Sequence, residues 1–363
     1  MTTIRLLPFF CVLATPLTLA AGLAGGAAQP YSVLAAARVG GEGGYDYVTA
    51  DPDGRRLYVP RQNRVDVFDL DTLKPAGRIS GTPNVHGVVL DPLSHHGFCS
   101  SNPVIMWDTR TLAPIKSIVV GGEPDGILFD PATRRVFVLS HETPNATVLD
   151  ARDGRVVGTI ADLGGAPEQG AADGRGRLYI DLEDQDSVSV VDAARLQVTG
   201  RLSLQGHGGT PAGMAMDTAR RILFVCCRKP QAAVILGADD GRILATLPIG
   251  AGVDSACFNP ATGEAFSSQR DGTLTVIREA APDRFEVEQT VTTRQGAKTS
   301  TLDPVTGRLY LIAADRVPAA PQAGAQPQLG TPQHRPKWTL VPGSFTIIEV
   351  GHGTPAREAT NTP

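Results

Sequence analysis

Six ionisable side chains recur at one place in a repeated pattern: Asp46, His86, Asp125, Glu168, Asp254 and Lys298, with Ala212 at the seventh place. Each stands just ahead of a short run that ends in an Asp or Asn. Four carboxylates and a histidine gathered together repel one another unless a cation or a basic ligand neutralises them. Such a set suits a hard divalent cation, or the orientation of a small polar ligand. His141 and Glu183 fall in loops expected on the same side, with Arg228 and Arg270 nearby. The candidate ligand-binding set is therefore Asp46, His86, Asp125, His141, Glu168, Glu183, Asp254, Arg270 and Lys298. The candidate metal ligands within it are His86, Asp125 and Glu168. The plainer alternative is that these groups bond neighbouring loop backbones around a water-filled opening.

Other chemistry finds little support. No HExxH, nucleophile elbow or CxxCH haem attachment is present, and the glycines of residues 40–44 are not followed by a helical pattern. A phosphate or dinucleotide loop needs that helix. The pairs Arg55-Arg56, Arg134-Arg135 and Arg220-Arg221 recur in one class of turn. They are expected to be solvated there, with a basic rim for a partner as the alternative. His95-His96, in the matching turn of another repeat, is likewise expected to be solvated. Trp107 and Trp338 are too few for a stacking platform, and Trp107 is expected to pack in a strand.

The elements that must position these residues follow from a repeat. Residues 121–160 hold four short apolar runs, at 127–129, 136–139, 147–149 and 156–160, separated by Asp-Pro, Asn-containing and Asp-Gly turns. Runs this short and rich in Val, Ile and Phe read as strands. The Asp or Asn after the first strand recurs at Asp51, Asp91, Asp130, Asp173, Asp217, Asn259 and Asp303, 40, 39, 43, 44, 42 and 44 residues apart. Its side chain can bond the backbone two residues on, and the Pro that follows in five of the seven presets φ. Four strands at this period make a propeller blade. The expectation is all-β: a seven-bladed β-propeller with four antiparallel strands per blade. The last repeat lacks a fourth strand, and residues 31–40 match the fourth strands of other repeats, so the N-terminal strand should close the ring and hide its edges.

The expected domain plan is a signal peptide over residues 1–28, a propeller over 29–353 with a Pro-rich insertion at 314–342, and a disordered tail over 354–363. Arg5 precedes an apolar stretch that ends in small residues, the order of a cleaved secretory signal. Pro8 and Pro16 interrupt that stretch, which argues against a transmembrane anchor in the mature chain. Export to the periplasm or medium follows. The chain carries 33 basic and 37 acidic side chains, and removing Arg5 leaves 32 − 37 = −5. That balance argues against a nucleic-acid partner. Of the cysteines, Cys226 and Cys227 are adjacent in one strand and should face opposite ways. A disulfide among Cys226, Cys227 and Cys257 and buried free thiols both stay open. The insertion should emerge beside the polar set as a lid or a tolerated loop, with Lys337 and Trp338 as its ligand-facing residues.

Leu57-Tyr58-Val59, Leu178-Tyr179-Ile180 and Leu309-Tyr310-Leu311 each follow the aspartate turn, and V-x-V-x-D third strands follow at residues 65–69 and 188–192. With the Gly-x-x-Pro connectors, such as residues 121–124, these resemble the YVTN-repeat, YncE-like family of secreted bacterial propellers. The resemblance covers roughly residues 31–351. It implies a ligand site at the channel mouth without naming the ligand, and related architectures serve as lactonases, redox subunits and adhesion modules. Two functions follow as expectations for a monomer. One is a binding module whose top face takes a small polar ligand or an envelope protein. The other is a lactonase-like, metal-assisted hydrolase in which His86 and carboxylates hold a divalent cation.

Overall fold

The computed structural model describes residues 29–319 and 338–354. The signal-peptide segment, Lys337 with the centre of the insertion, and the tail beyond residue 354 lie outside the described residues. The chain forms seven four-stranded antiparallel sheets and one small two-stranded sheet, with no helix among the described residues. Blade 1 runs from Thr49–Asp51 to Pro75–Val85, blade 2 from Val88–Asp91 to Pro114–Ile118, and blade 3 from Pro124–Asp130 to Val156–Ile160. Blade 4 runs from Pro167–Ala172 to Gln197–Ser203, blade 5 from Pro211–Asp217 to Ile243–Pro248, and blade 6 from Val253–Asn259 to Arg284–Thr292. Blade 7 orders its strands as Ser300–Asp303, Arg308–Ala313, Thr346–His352 and, outermost, Tyr31–Arg38. The N-terminal strand closes the ring as its sequence foretells.

Each blade is two-faced because strand side chains alternate, so the apolar residues collect between blades rather than in one central core. Seven clusters result, one per interface. Phe137, Leu139, Ile180 and Leu182 join blades 3 and 4, while Tyr31, Phe266, Leu274 and Leu309 join blades 6 and 7. Trp107 is fully buried between blades 1 and 2. Cys226 packs toward blade 6 and Cys227 toward blade 4, opposite ways from adjacent positions. All four described cysteines are free thiols. Near the axis the first strands crowd together. A Cβ on Gly126 would stand 2.4 Å from the Glu168 carbonyl oxygen, so only glycine lets blades 3 and 4 approach there.

All seven Asp/Asn anchors are buried and accept backbone N–H groups of their own turns, as in Gly54 N to Asp51 Oδ1 at 2.9 Å and Ala261 N to Asn259 Oδ1 at 3.0 Å. The arginine pairs depart from expectation. They do more than sit in solvated turns: partly exposed, each pair clasps both neighbouring blades. Arg55 pairs with Asp303 of blade 7 at 2.8 Å while Arg56 donates to the Thr109 and Arg110 carbonyls of blade 2. Arg134 pairs with Asp91 of blade 2, and Arg135 donates to the Ala193 carbonyl of blade 4 at 2.6 Å. Arg221 pairs with Asp173 of blade 4 at 3.0 Å, and Arg220 with Glu279 of blade 6. His96 joins this set by bonding the Ala151 carbonyl of blade 3 at 3.0 Å. The ionic half of the clasp has a physical reason: the buried anchors Asp91, Asp173 and Asp303 gain a counter-charge from the turn of the next blade.

Candidate functional site

The residue that opens each first strand lies at one mouth of the channel, where the second-to-third strand loops also converge. The nine residues expected from sequence fall into one ion-pair network there. His86 Nδ1 lies 2.8 Å from Asp46 Oδ2 and 3.3 Å from Asp125 Oδ1. Asp46 also meets Lys298 Nζ at 2.9 Å, and Lys298 pairs with Asp254. Asp254 pairs in turn with Arg228 and stands 3.7 Å from Arg270. Arg228 reaches Glu183 at 2.5 Å and Glu168 at 3.6 Å. His141 Nε2 completes that side, 3.3 Å from Glu183 and 3.9 Å from Glu168.

Two residues outside the expected nine belong to the network. Blade 5 offers only buried Ala212 at the ring position, and Arg228, at the end of strand Ile222–Arg228, fills its sector. Tyr47 donates to Glu168 Oε2 at 3.1 Å. The sequence carried a signal for it: the position after the ring residue is Gly, Gln, Ser or Thr in the other blades and aromatic here alone. The expected repulsion among carboxylates is largely relieved from within, by Lys298, Arg228 and Arg270. The expected metal set is divided. His86 and Asp125 group with Asp46, whereas Glu168 groups with His141 and Glu183, each trio having ligand atoms within 4.8 Å of one another. Glu168 and Glu183, both of blade 4, share Arg228 as counter-ion.

Proton affinities diverge around the ring. Burial opposes ionisation of Asp46, but Lys298 and the His86 bond outweigh it and hold that carboxyl below its usual range. Burial works against the His86 cation, yet Asp46 and Asp125 raise its affinity for a proton. Asp125 is raised by burial and by Asp46, with His86 pulling the other way. Glu168 is pushed up to about 9, first by burial, against Arg228, then by Glu183, Asp125 and Asp254. Glu183 is lowered: burial is overcome by the bond from Glu168, by Arg228 and by His141. At neutral pH the site thus pairs a protonated carboxyl, Glu168, with ionised Glu183 and Asp46. That is a proton donor beside two acceptors, the division of labour that acid–base chemistry and polar-ligand binding both use.

Below the ring a cavity of about 120 Å³ is lined by Tyr47, Gly87, Gly126, Glu168, Gln169 and Ser300, among others. Gln169 Oε1 spans two blades, accepting from Met214 N at 2.8 Å and Ala256 N at 3.0 Å. The insertion begins as a hairpin, Arg316–Pro318 against Trp338–Leu340, and Trp338 is exposed.

Fold and site together define a seven-bladed β-propeller with a charged channel mouth. No protein-family model matches the chain, and no curated protein matches it. Among solved structures it is similar to a chain of Kuenenia stuttgartiensis hydrazine synthase, with TM-score 0.65 and 16% identity, covering 74% of this chain and 92% of that one. A chain in the crystal structure of the mitotic checkpoint complex is similar too, with TM-score 0.67 and 12% identity, covering 85% and 95%. In all, 1701 solved chains match, so the likeness shows a widely used fold and no activity.

Proposed function

We propose that this protein is an exported binding module of the YncE-like kind that takes a small polar ligand, or a polar group of an envelope protein, at the charged mouth of its channel. One observation carries the reading: nine polar residues from blades 1–4, 6 and 7, far apart in sequence, join Arg228 of blade 5 in one network of alternating charge. Its fixed donors and acceptors present both signs of charge at once, which favours a ligand with hydrogen-bonding groups of both kinds. Support for export is the N-terminal pattern of charge, apolar stretch and small residues. The test is a thermal-shift screen of small polar compounds on the mature protein and on Asp125→Asn and Glu168→Gln. A compound that raises Tm in the parent and in neither variant supports the reading. Shifts of equal size in all three proteins would remove the ring as the site.

A second reading, a metal-assisted hydrolase, is favoured by the two trios. Asp46, His86 and Asp125, or His141, Glu168 and Glu183, have the donor chemistry for a divalent cation. Plasma mass spectrometry on protein purified without chelators tests it. About one ion per chain, lost in Asp125→Ala, is expected if the first trio is occupied. No ion, with no uptake of added calcium or zinc, sinks this reading.

A further inference from the structure

The channel changes character along its axis. Reading the same five places in each first strand yields Asp-Tyr-Val-Thr-Ala, His-Gly-Val-Val-Leu, Asp-Gly-Ile-Leu-Phe, Glu-Gln-Gly-Ala-Ala, Ala-Gly-Met-Ala-Met, Asp-Ser-Ala-Cys-Phe and Lys-Thr-Ser-Thr-Leu. The first place is ionisable in six blades, and the fifth is apolar in all seven. Across four residue steps, about 13 Å of strand, the lining passes from charge to hydrocarbon. Three lower residues, Leu90, Leu128 and Phe129, pack against the interblade clusters yet keep part of their surface exposed. A cavity of about 530 Å³ opens among them at the far mouth. It shares Thr49, Val88, Ile127, Leu128 and Gly170 with the small cavity under Glu168.

A solvated apolar wall at the lower level of the channel favours an occupant that covers it. At the charged end, Lys298, Arg228 and Arg270 already face the carboxylates of Asp46, Asp254 and Glu183, so a head group bearing net charge gains little there. A neutral head with hydroxyl or amide groups fits better.

We propose that the channel takes a single-chain amphiphile, its neutral polar head at the ring and its alkyl chain running down the axis toward Leu128 and Phe129. This rests on the ligand-binding reading of the charged mouth and adds the class of ligand. The test is calorimetric titration with hexyl, heptyl and octyl glucoside, each below its critical micelle concentration, and with glucose. Binding is expected to tighten about fourfold with each added methylene, the value of one buried CH₂. Glu168→Gln should weaken all three homologues by one common factor and leave the step per methylene unchanged. Leu128→Gln and Phe129→Gln, both checked for folding by circular dichroism, should flatten that step. Glucose binding with no dependence on chain length would overturn the amphiphile while leaving the polar site standing. A chain-length dependence equally strong in both lower-channel variants would mean adsorption elsewhere and also overturn it. If none of the homologues binds, the proposal falls, and the polar site is then judged by the thermal-shift screen.

Discussion

Glu168 shows how far one side chain's chemistry is set by where the fold puts it. Its carboxyl is buried among Asp125, Asp254 and Glu183, and Arg228 offsets them in part, so it keeps its proton to about pH 9. An unfolded chain releases that proton near 4.3. The group therefore costs no stability below about pH 4, costs progressively more as pH rises, and reaches its full cost above about 9. Glu168→Gln removes the titration and keeps the shape. Its melting temperature should match the parent at pH 4 and exceed it by a margin that widens between pH 5 and 9, read by scanning calorimetry. A constant margin would mean that Glu168 ionises normally. Asp181 is a related case that sequence could not flag. It is fully buried and neither carboxyl oxygen has a hydrogen-bond partner. Burial raises its proton affinity well above the usual range, with Arg228 pulling the other way.

Between blades, the working unit is the turn that carries both an anchor and a clasp. Asp91 is fully buried, holds its own turn through Leu93 N and the Ser94 hydroxyl, and meets Arg134 from blade 3. Removing the arginine leaves a buried carboxylate without its counter-ion. An exposed pair is worth at most about 1 kcal/mol, and breaking a fully buried one costs about 3–5. Arg134 is partly exposed, so Arg134→Ala should lose about 2 kcal/mol in urea unfolding, between those limits. Arg152→Ala is the control. Its pair with Asp150 lies within one blade and its side chain is 63% exposed, so the loss there should stay within about 0.5 kcal/mol. Equal losses would show that the clasp between blades adds nothing beyond a surface pair.

At the scale of the whole ring, closure depends on strand Tyr31–Arg38. It pairs along Thr346–His352, and Tyr31 is fastened to blade 6. Its hydroxyl donates to Glu264 at 2.6 Å, and Gln289 bonds its backbone on both sides, at 2.9 and 2.7 Å. A chain beginning at Val39 leaves Thr346–His352 as an open edge, the kind that pairs with other chains. That truncation should elute as dimers and larger species by size-exclusion chromatography with light scattering. A folded monomer of unchanged Tm would show that closure needs no fourth strand in blade 7.

Much of the architecture was legible in the chain because the signals are local and repeated. An aspartate turn, short apolar runs and a period near forty residues specify a blade, and the missing fourth strand of the last repeat pointed to the N-terminal segment. The ring residues were legible for the same reason, since a repeat converts sequence position into place around an axis. Their pairings were not. Arg228 stands at the end of a second strand and fills a gap left by Ala212, and Tyr47 reaches Glu168 of another blade. Which carboxylate keeps its proton depends on distances between blades that no local pattern encodes. The arginine pairs likewise look like solvated turns in sequence, and only the placement of a neighbouring blade's buried aspartate turns them into clasps. Short-range geometry is written in the chain, whereas electrostatics across blades arises from tertiary structure, because Coulomb and desolvation energies depend on what packs nearby rather than on what is adjacent in sequence.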